Sequence, residues 1–410
     1  MYSENFCTNF SFETKLGFRT VMIKLNYNNK SSEFEVLNET KPAVLTSISG
    51  EASAKNKIIK GDNLPVMQAL LKQYKMKGTI DLVYIDPPFA TGSDFTITDG
   101  RASTISNSRN GDIAYSDKLT GSSFIEFLRA RLILLKELLS EEGSIYVHID
   151  YKIGHYVKVM MDEIFGIENF RNDITRIKCN PKNFDRVGYG NIKDLILFYT
   201  KTSNPIWNEP RQKYTKKDLE RLFPKIDRHG RRYTTVPIHA PGETKNGKSN
   251  MPFKGITPPE GRHWRTDVDT LEQWDKEGLI EWSSTGNPRK KIYADERKGK
   301  RVQDVWVFKD PQYPTYPTEK NAELLDLIIR TSSNPESIVL DCFCGSGTTL
   351  KSAQLNGRKW IGIDKSEYAI KSTVQKLGSL NDNLFTPRST YEFVELEKLL
   401  NERKSQPPVK

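Results

Sequence analysis

The feature that most constrains the fold of this chain is a repeated alternation of short apolar runs with helical segments. The run Ile80–Ile85 (IDLVYI) has the length and composition of a strand that is buried on both faces. Similar runs predict strands at 57–60, 144–149, 337–341 and 360–363 and a hairpin of strands at 174–177 and 195–200. Apolar residues at helical spacing predict helices between strands, for example at 122–139. Strands that alternate with helices favour a parallel, doubly wound sheet. We therefore predict an α/β fold.

Composition and charge exclude several classes of protein. Lys and Arg number 62 against 52 Asp and Glu, a net charge of +10, which is compatible with a polyanionic partner. No apolar run approaches the ~18 residues that span a bilayer, and the N-terminus lacks a secretory pattern, so we predict no membrane association and a cytoplasmic location. The four cysteines and five histidines show no disulfide framework and no metal-ligand spacing, and we predict no metal.

A glycine turn follows the predicted strand that ends at Asp341. Phe343, Gly345 and Gly347 belong to the segment FCGSG, which leads into a predicted helix. Glycines permit positive φ and close backbone approach, and a helix N-terminus favours an anionic group. The third glycine of a dinucleotide fingerprint is missing, because position 350 is leucine. Asp364 ends the next strand, where a carboxylate can accept ribose hydroxyls, so the turn predicts a nucleoside cofactor.

A second corner, Asp86-Pro87-Pro88-Phe89, ends the strand at 80–85. Asp86 is therefore expected at the carboxyl edge of the sheet, where α/β proteins bind ligands. The two prolines fix φ and remove two backbone donors, which leaves carbonyls free to accept. A carboxylate and a prolyl carbonyl together can accept both hydrogens of an exocyclic amine, and Phe89 can stack on the ring that carries it. The corner thus predicts chemistry at an amino group of a planar base.

The two motifs together resemble those of the DNA amino-methyltransferases, which carry Asp/Asn/Ser-Pro-Pro-aromatic and Phe-x-Gly-x-Gly motifs. The amine motif comes first in this chain, an order that resembles the beta group, which includes the modification subunits of type III restriction systems. The resemblance covers residues 56–377. It implies a circularly permuted, seven-stranded, Rossmann-like methyltransferase sheet with an inserted target-recognition region. It also implies S-adenosylmethionine as the cofactor and double-stranded DNA as the substrate.

Residue by residue, the resemblance implies that Asp86, Pro87, Pro88 and Phe89 are catalytic. It assigns seven residues to S-adenosylmethionine, with Asp364 at the ribose, Asp62 near the adenine and Lys320 near the methionine carboxylate: Asp62, Lys320, Asp341, Phe343, Gly345, Gly347 and Asp364. Aspartate at the first position of the amine motif favours adenine N6, because the cytosine-N4 enzymes of this group usually carry serine there. The resemblance further implies a homodimer and a separate restriction endonuclease as partners.

Composition and periodicity divide the chain into five parts, which the resemblance names. We predict an N-terminal extension, the catalytic part of the methyltransferase domain, the target-recognition insert, the cofactor-binding part and a C-terminal tail: 1–55, 56–201, 202–309, 310–380 and 381–410. The insert is rich in Pro, Gly and Trp and holds clusters of basic residues, such as nine Lys or Arg against three acidic residues in 211–232. Such clusters can neutralise phosphates. Met22 heads a more patterned segment, so residues 1–21 are a candidate for a mis-assigned translation start.

Three alternatives stay open from the sequence. The same fold acts on cytosine N4 in some relatives, and Pro-Pro-aromatic corners also occur in enzymes that methylate glutamine amides or RNA bases. The order of the motifs and the basic insert argue against the latter. A catalytically silent DNA-binding module is the alternative from another class, and the intact Asp86, Gly345 and Gly347 argue against it.

Overall fold

The structure is a computed structural model of the 410-residue chain. It describes residues 10–15, 18–51, 54–88, 94–98, 101–103, 112–116, 121–181, 185, 187–242, 247–312, 319–381 and 390–399. The chain forms two compact units, one of residues 1–209 with 303–410 and one of residues 210–302. The second unit lies within the stretch 202–309 whose composition differs from the rest.

A ten-stranded sheet is the centre of the first unit. Its strands, in chain order, are β1 Ala43–Gly50, β2 Lys57–Lys60, β3 Ile80–Ile85, β4 Leu139–Ile149, β5 Phe170–Ile177, β6 Lys193–Thr200, β7 Val305–Val307, β8 Ile338–Asp341, β9 Lys359–Asp364 and β10 Glu392–Leu399. Their order across the sheet is β7-β5-β6-β4-β3-β8-β9-β2-β10-β1. β6 runs antiparallel to both of its neighbours, β5 and β4, and the edge strand β1 runs antiparallel to β10. The other eight strands of this sheet share one direction.

This sheet confirms the predicted α/β class, and the seven strands predicted from the sequence are all present. Three further strands lie at or near its edges: β7 beside β5, and β10 and β1 beyond β2. β1 and β10 come from the segments that we predicted to be an extension and a tail. Most residues of β1 are exposed, and the exposed end of β10 is charged, so neither segment has the buried apolar run that marks a central strand.

Nine α-helices occur among the described residues: α1 Glu33–Glu39, α2 Asn63–Lys72, α3 Gly121–Leu138, α4 Gly154–Phe165, α5 Lys216–Leu222, α6 Val268–Lys276, α7 Ala322–Ser332, α8 Thr348–Leu355 and α9 Glu367–Asn381. The buried faces of α2, α3 and α4 pack on the apolar strands of the sheet and form one continuous core. In the part of the chain that the structure describes, no helix has the length and apolar character of a membrane span.

The second unit contains more regular structure than its sequence pattern indicates. The strands Lys225–Ile226, Arg232–Pro237, Pro288–Tyr293 and Ile280–Trp282 form a small antiparallel sheet, and His239–Pro241 pairs with Arg262–Trp264. Their strands are short, which explains why periodicity did not reveal them. The unit has its own core, formed by Ile238, Phe253, Trp264, Leu271 and Ile280. Trp264 is fully buried in it, and α5 and α6 complete the unit.

Three small strand groups complete the described elements. The strands Phe10–Lys15 and Phe18–Ile23 form a hairpin, and Arg211–Gln212 pairs with Lys300–Arg301. A three-stranded sheet joins Asp94–Thr98 to Arg101–Ser103 and Asp112–Ser116. Short 3-10 turns lie at Ile167–Asn169 and Lys248–Asn250.

Candidate active site

The carboxyl ends of β3 and β8 bring the two sequence motifs together. The strands are neighbours in the sheet, with Leu82 opposite Val339 and Val83 opposite Leu340, although they are far apart in the chain. A single pocket at this edge is lined by nine of the eleven residues predicted for the site: Asp62, Asp86, Pro87, Pro88, Lys320, Asp341, Phe343, Gly345 and Asp364. Gly347 lies beyond the lining at the start of α8, and Phe89 lies outside the described residues.

Asp86 is held by one oxygen, and its other oxygen is a buried acceptor without a donor. Its Oδ2 lies 2.7 Å from Lys320 Nζ, and both side chains are largely buried. Its Oδ1 accepts no hydrogen bond from any described residue. Buried polar atoms are nearly always satisfied, so such an oxygen suits a ligand N–H. We expected Lys320 at the cofactor's carboxylate, whereas the structure pairs it with Asp86.

Glu319 and Lys320 connect the Asp86 corner to the glycine turn. While Lys320 pairs with Asp86, the carboxylate of Glu319 lies 2.5 Å from Lys376 Nζ, on α9. Lys376 also donates to Ser346 Oγ (2.8 Å) and to Thr348 Oγ1 at the start of α8 (2.9 Å). Burial lowers the pKa of Lys376, and the ion pair with Glu319 opposes this shift. Consecutive residues thus tie the two halves of the site together.

Asp341 lies deep under the glycine turn. Its Oδ1 accepts from the backbone N–H of Phe343 (3.0 Å) and its Oδ2 from Thr349 Oγ1 (2.6 Å). Burial raises the pKa of Asp341 to about 7, despite these two hydrogen bonds, and the nearby carboxylates of Asp86 and Asp364 act in the same direction. A cation placed beside Asp341 would therefore favour its ionised form.

The glycine turn has the conformation that its sequence predicts. Gly345 and Gly347 have φ of 50° and 75°, and a Cβ on Gly347 would meet the side chain of Thr373 at 2.7 Å. Asp364 accepts from the backbone N–H of Gly345 (2.9 Å) and of Ser366 (2.8 Å), and burial raises its pKa. A carboxylate has about four acceptor positions, so Asp364 can still accept the two hydroxyls of a ribose.

Asp62 also has a structural role that the sequence did not predict. Its Oδ1 caps α2 by accepting from Leu64 N–H (2.9 Å), and it pairs with Arg131 on α3 at 2.9 Å. Arg131 lies on the Phe127 ring, 3.5 Å from its centre, and both residues line the pocket. A signal for Arg131 was present, since Arg129 and Arg131 interrupt the apolar face of a predicted helix. A charged residue on a buried face is paired more often than not.

A buried row of polar side chains lies next to the Asp86 corner. Tyr84, which lines the pocket, is 2.9 Å from His148 Nδ1, and His148 Nε2 is 3.2 Å from Asp194. Asp194 also accepts from Arg176 (3.4 Å) and Lys178 (2.6 Å). Burial lowers the pKa of His148, so the neutral imidazole donates from Nε2 to Asp194 and accepts the Tyr84 hydroxyl at Nδ1. Sequence spacing gave no sign of this row, because its members come from four strands.

The sequence matches a known protein family over most of its length. The model of a DNA methylase family, the N6_N4_Mtase family, matches residues 80–375. The chain belongs to this family. The match contains both motifs of the pocket and extends across the second unit.

Curated relatives agree with this assignment. The type II methyltransferase M.EcaI of Enterobacter cloacae is 40% identical over 86% of this chain and 77% of its own length. The Mod subunit of the type III restriction-modification enzyme StyLTI of Salmonella typhimurium is 27% identical over 82% of this chain. The chain spans only 56% of the length of that subunit. The crystal structure of the M1.HpyAVI–SAM complex matches 78% of this chain and 98% of its own at 16% identity, with a TM-score of 0.40.

The protein is therefore a DNA methyltransferase, and the sequence resemblance implies S-adenosylmethionine as its methyl donor. The residues of the pocket fit this cofactor. The paired glycines with positive φ leave room along the turn, Asp364 can accept hydroxyls, and Asp341 is a buried carboxyl that a cationic group would ionise. The Asp86 oxygen that lacks a donor lies in the same pocket, so acceptor and methyl donor would share one space.

Proposed function

We propose that the chain methylates N6 of an adenine flipped out of double-stranded DNA. The observation that carries this proposal is the state of Asp86, with Oδ2 paired to Lys320 and Oδ1 buried without a donor among the described residues. Together with the carbonyl of Pro87, this oxygen supplies two acceptors for the two hydrogens of an exocyclic amine. Such an amine is paired inside a duplex, so the base has to leave the stack before it can enter the pocket.

The residues act by holding the amine in place. Asp86 Oδ1 and the Pro87 carbonyl accept both N6 hydrogens, which turns the nitrogen lone pair out of conjugation with the ring. S-adenosylmethionine, when bound, supplies a methyl group on a positively charged sulfur that this lone pair can attack. The transfer needs no covalent bond to the enzyme, so positioning and electrostatics dominate catalysis. Lys320 fixes the orientation of Asp86, and the proton leaves to Asp86 or to solvent.

The remaining predicted residues are proposed to hold the cofactor. Asp364 accepts the ribose hydroxyls, Asp341 receives the cationic end of the methionine part, and Gly345 and Gly347 allow its close approach. Phe343 packs near Phe127, at 6.1 Å between ring centres, and forms an apolar wall of the same pocket. Lys320 is assigned to Asp86 on the observed contact rather than to the cofactor's carboxylate. Asp62 stays a candidate for contact with the cofactor's adenine region, because it lines the pocket while capping α2.

The choice of adenine rests on the aspartate at position 86, since cytosine-N4 enzymes of this group usually carry serine there. The test uses the purified full-length chain with S-adenosylmethionine and three duplexes: one of mixed sequence, one without adenine and one without cytosine. Enzymatic digestion and mass spectrometry then identify the methylated nucleoside. We expect N6-methyladenine, and no product on the duplex without adenine.

Two other results would contradict the proposal in different ways. N4-methylcytosine would move the activity to the other base of the same family. Cofactor and DNA binding without any methylated nucleoside, on genomic DNA as well, would support a silent DNA-binding module.

We infer further that the protein is the modification component of a restriction-modification system. The names of its relatives support this, since M.EcaI is called a type II methyltransferase and the StyLTI relative is a Mod subunit. We propose that a separate chain provides the endonuclease and that the methyltransferase forms a homodimer. Sedimentation of the purified chain tests the dimer, and a sedimenting monomer that is fully active would contradict it. We assign DNA target recognition to the insert at 202–309.

A further inference from the structure

Several basic residues of the second unit are paired with acidic side chains. Most cations with a short contact to an acid lie on its surface: Arg231 with Asp295 and Glu296, Lys248 with Asp269, Lys254 with Asp275, Lys225 with Glu281 and Lys300 with Asp218. Their charges are locally neutralised. These cations therefore contribute little to the attraction of a polyanion.

Three arginines of the same unit have no acidic partner among the described residues. Arg262, Arg265 and Arg289 are grouped around His239, and we call them the His239 arginine cluster. An NH of Arg262 lies 3.2 Å from His239 Nδ1, and Arg265 Nε donates to the His239 carbonyl at 3.2 Å. Arg289 lies on the strand Pro288–Tyr293 opposite Pro237, two residues before His239, and its charge acts on His239.

The three arginines place positive charge around His239. Burial lowers the pKa of His239 first, and the charges of Arg262, Arg265 and Arg289 lower it further. Among the described residues, no carboxylate acts on the pKa of His239. Three like charges without a counter-charge repel one another, so the cluster costs stability unless an anion occupies it. Such a cost is typical of a binding surface.

The cluster is built on rigid backbone. His239–Pro241 and Arg262–Trp264 are paired strands, and the N–H of Arg265 continues the pairing to the Ile238 carbonyl at 2.7 Å. Ile238 and Trp264 belong to the core of the unit, directly in line with these strands. The side chains therefore project from a fixed platform, and little order has to be gained when a ligand binds.

We propose that the His239 arginine cluster contacts phosphate groups of the DNA backbone. The proposal rests on the DNA substrate of the proposed function and adds the residues that hold its backbone. Phosphate is favoured over base edges because each of the three guanidinium groups is partly engaged. Arg289 donates from Nε and Nη2 to Thr235, at 2.9 and 2.7 Å. Arg265 donates from Nε to the His239 carbonyl, and Arg262 donates from Nη1 to His239 Nδ1. Bidentate reading of guanine needs a guanidinium edge that is free, whereas a phosphate oxygen accepts a single N–H.

The test measures how DNA binding depends on salt. Fluorescence anisotropy with a labelled duplex, from about 50 to 200 mM KCl, gives the slope of log K against log salt concentration. Arg262→Gln, Arg265→Gln and Arg289→Gln are made singly and together. Arg231→Gln is the matched control, since it removes the same charge from an arginine of the same unit that is already paired to two acids.

Each lost phosphate contact should reduce the slope by about 0.9, and the triple variant by roughly 2.7. Arg231→Gln should leave it unchanged. The sequence motif that is methylated in cellular DNA should stay the same, with lower efficiency at low enzyme concentration. Thermal unfolding identifies a variant that is misfolded, and the exposed Arg265 variant then decides alone.

Two results would overturn the proposal. Slopes equal to that of Arg231→Gln would show that the cluster does not contact phosphates. A changed methylation motif with an unchanged slope would show that these arginines read bases. Neither result depends on which base is methylated, so a failure here is distinct from a failure of the proposed function.

Discussion

The charged side chains of the two units differ in burial and in pairing. In the first unit, His148, Asp194 and Arg176 are buried at the sheet, and each has at least two polar partners. In the second unit, the pair of Lys248 and Asp269 is about three-quarters exposed, and the His239 arginine cluster has no described counter-charge. The difference indicates that charge in the first unit fixes geometry, while charge in the second is available to a partner.

The largest effect is expected where a buried charge loses its partner. Asp194→Ala leaves Arg176 and His148 without their shared acceptor, and we expect a loss of about 3–5 kcal/mol of folding free energy. Lys248→Gln removes a charge from the exposed pair and should leave stability unchanged, because solvent screens such pairs. Urea denaturation followed by circular dichroism measures both. Equal stability of the two variants would remove the contrast between the units.

Within the first unit, the next largest effect is expected at the reacting corner. Asp86→Ala removes the acceptor proposed for the N6 hydrogens, and transfer should fall roughly 100- to 1,000-fold, as when one preorganised polar group is deleted from an active site. Cofactor binding, measured by calorimetry, should be nearly unchanged. Near wild-type methylation by this variant would refute the mechanism, and lost cofactor binding would show that Asp86 serves the cofactor instead.

A smaller effect at Lys320 distinguishes its two assignments. If Lys320 orients Asp86, Lys320→Gln should lower kcat roughly 10- to 100-fold, the value of one charge-assisted hydrogen bond. The dissociation constant of S-adenosylmethionine should then change little. Weaker binding of S-adenosylmethionine with a normal kcat at saturation would instead support the assignment that the family resemblance implied, in which Lys320 lies near the methionine carboxylate.

The smallest predicted effect concerns proton binding at Asp341. Its pKa of about 7 means that half of the unliganded molecules carry a proton there at neutral pH. A bound cation favours the ionised form, so binding releases a proton and affinity rises with pH, about fivefold from pH 6 to pH 7. Calorimetry in two buffers of different ionisation enthalpy detects this proton release. In Asp341→Asn, the affinity for the cofactor should no longer depend on pH in this range. An unchanged pH dependence in this variant would show that Asp341 does not lie near the cation.

The same pKa shift has a consequence for folding. Asp341 holds its proton more tightly in the folded chain than an ordinary aspartate does in the unfolded chain. Its contribution to stability is therefore present below pH 4 and is lost as pH rises through about 7. Bound S-adenosylmethionine should reduce this loss, because it favours the ionised carboxylate.

The sequence predicted those parts of the molecule that depend on burial and on backbone chemistry. The apolar runs of β3, β8 and β9 predict central strands. The prolines and glycines that follow β3 and β8 predict the turns at the ends of these strands. The strands β1 and β10 were missed, because exposed edge strands need no apolar pattern. The second unit lies within the stretch 202–309 whose composition differs from the rest, but its short strands were not predicted.

Side-chain pairing was the part that the sequence could not supply. The contact of Lys320 with Asp86 joins residues that are more than 200 positions apart, and it depends on how the strands are ordered. The row from Tyr84 to Asp194 has the same origin. Asp62 shows a further limit of sequence-based prediction. An aspartate directly after a strand can cap the next helix or bind a ligand, and the sequence pattern is the same in both cases.

The junction of the second unit has an evolutionary consequence. Its first and last residues meet, since Arg211–Gln212 pairs with Lys300–Arg301 and the N–H of Val302 donates to the Pro210 carbonyl at 3.2 Å. A segment whose two ends adjoin can be exchanged for one of another length without stretching the chain on either side. Recombination between related genes can thus transplant the whole segment at once. On the proposal that the second unit reads the DNA sequence, new specificities would then arise by replacement of a module, with no change to the residues at Asp86 and Asp341.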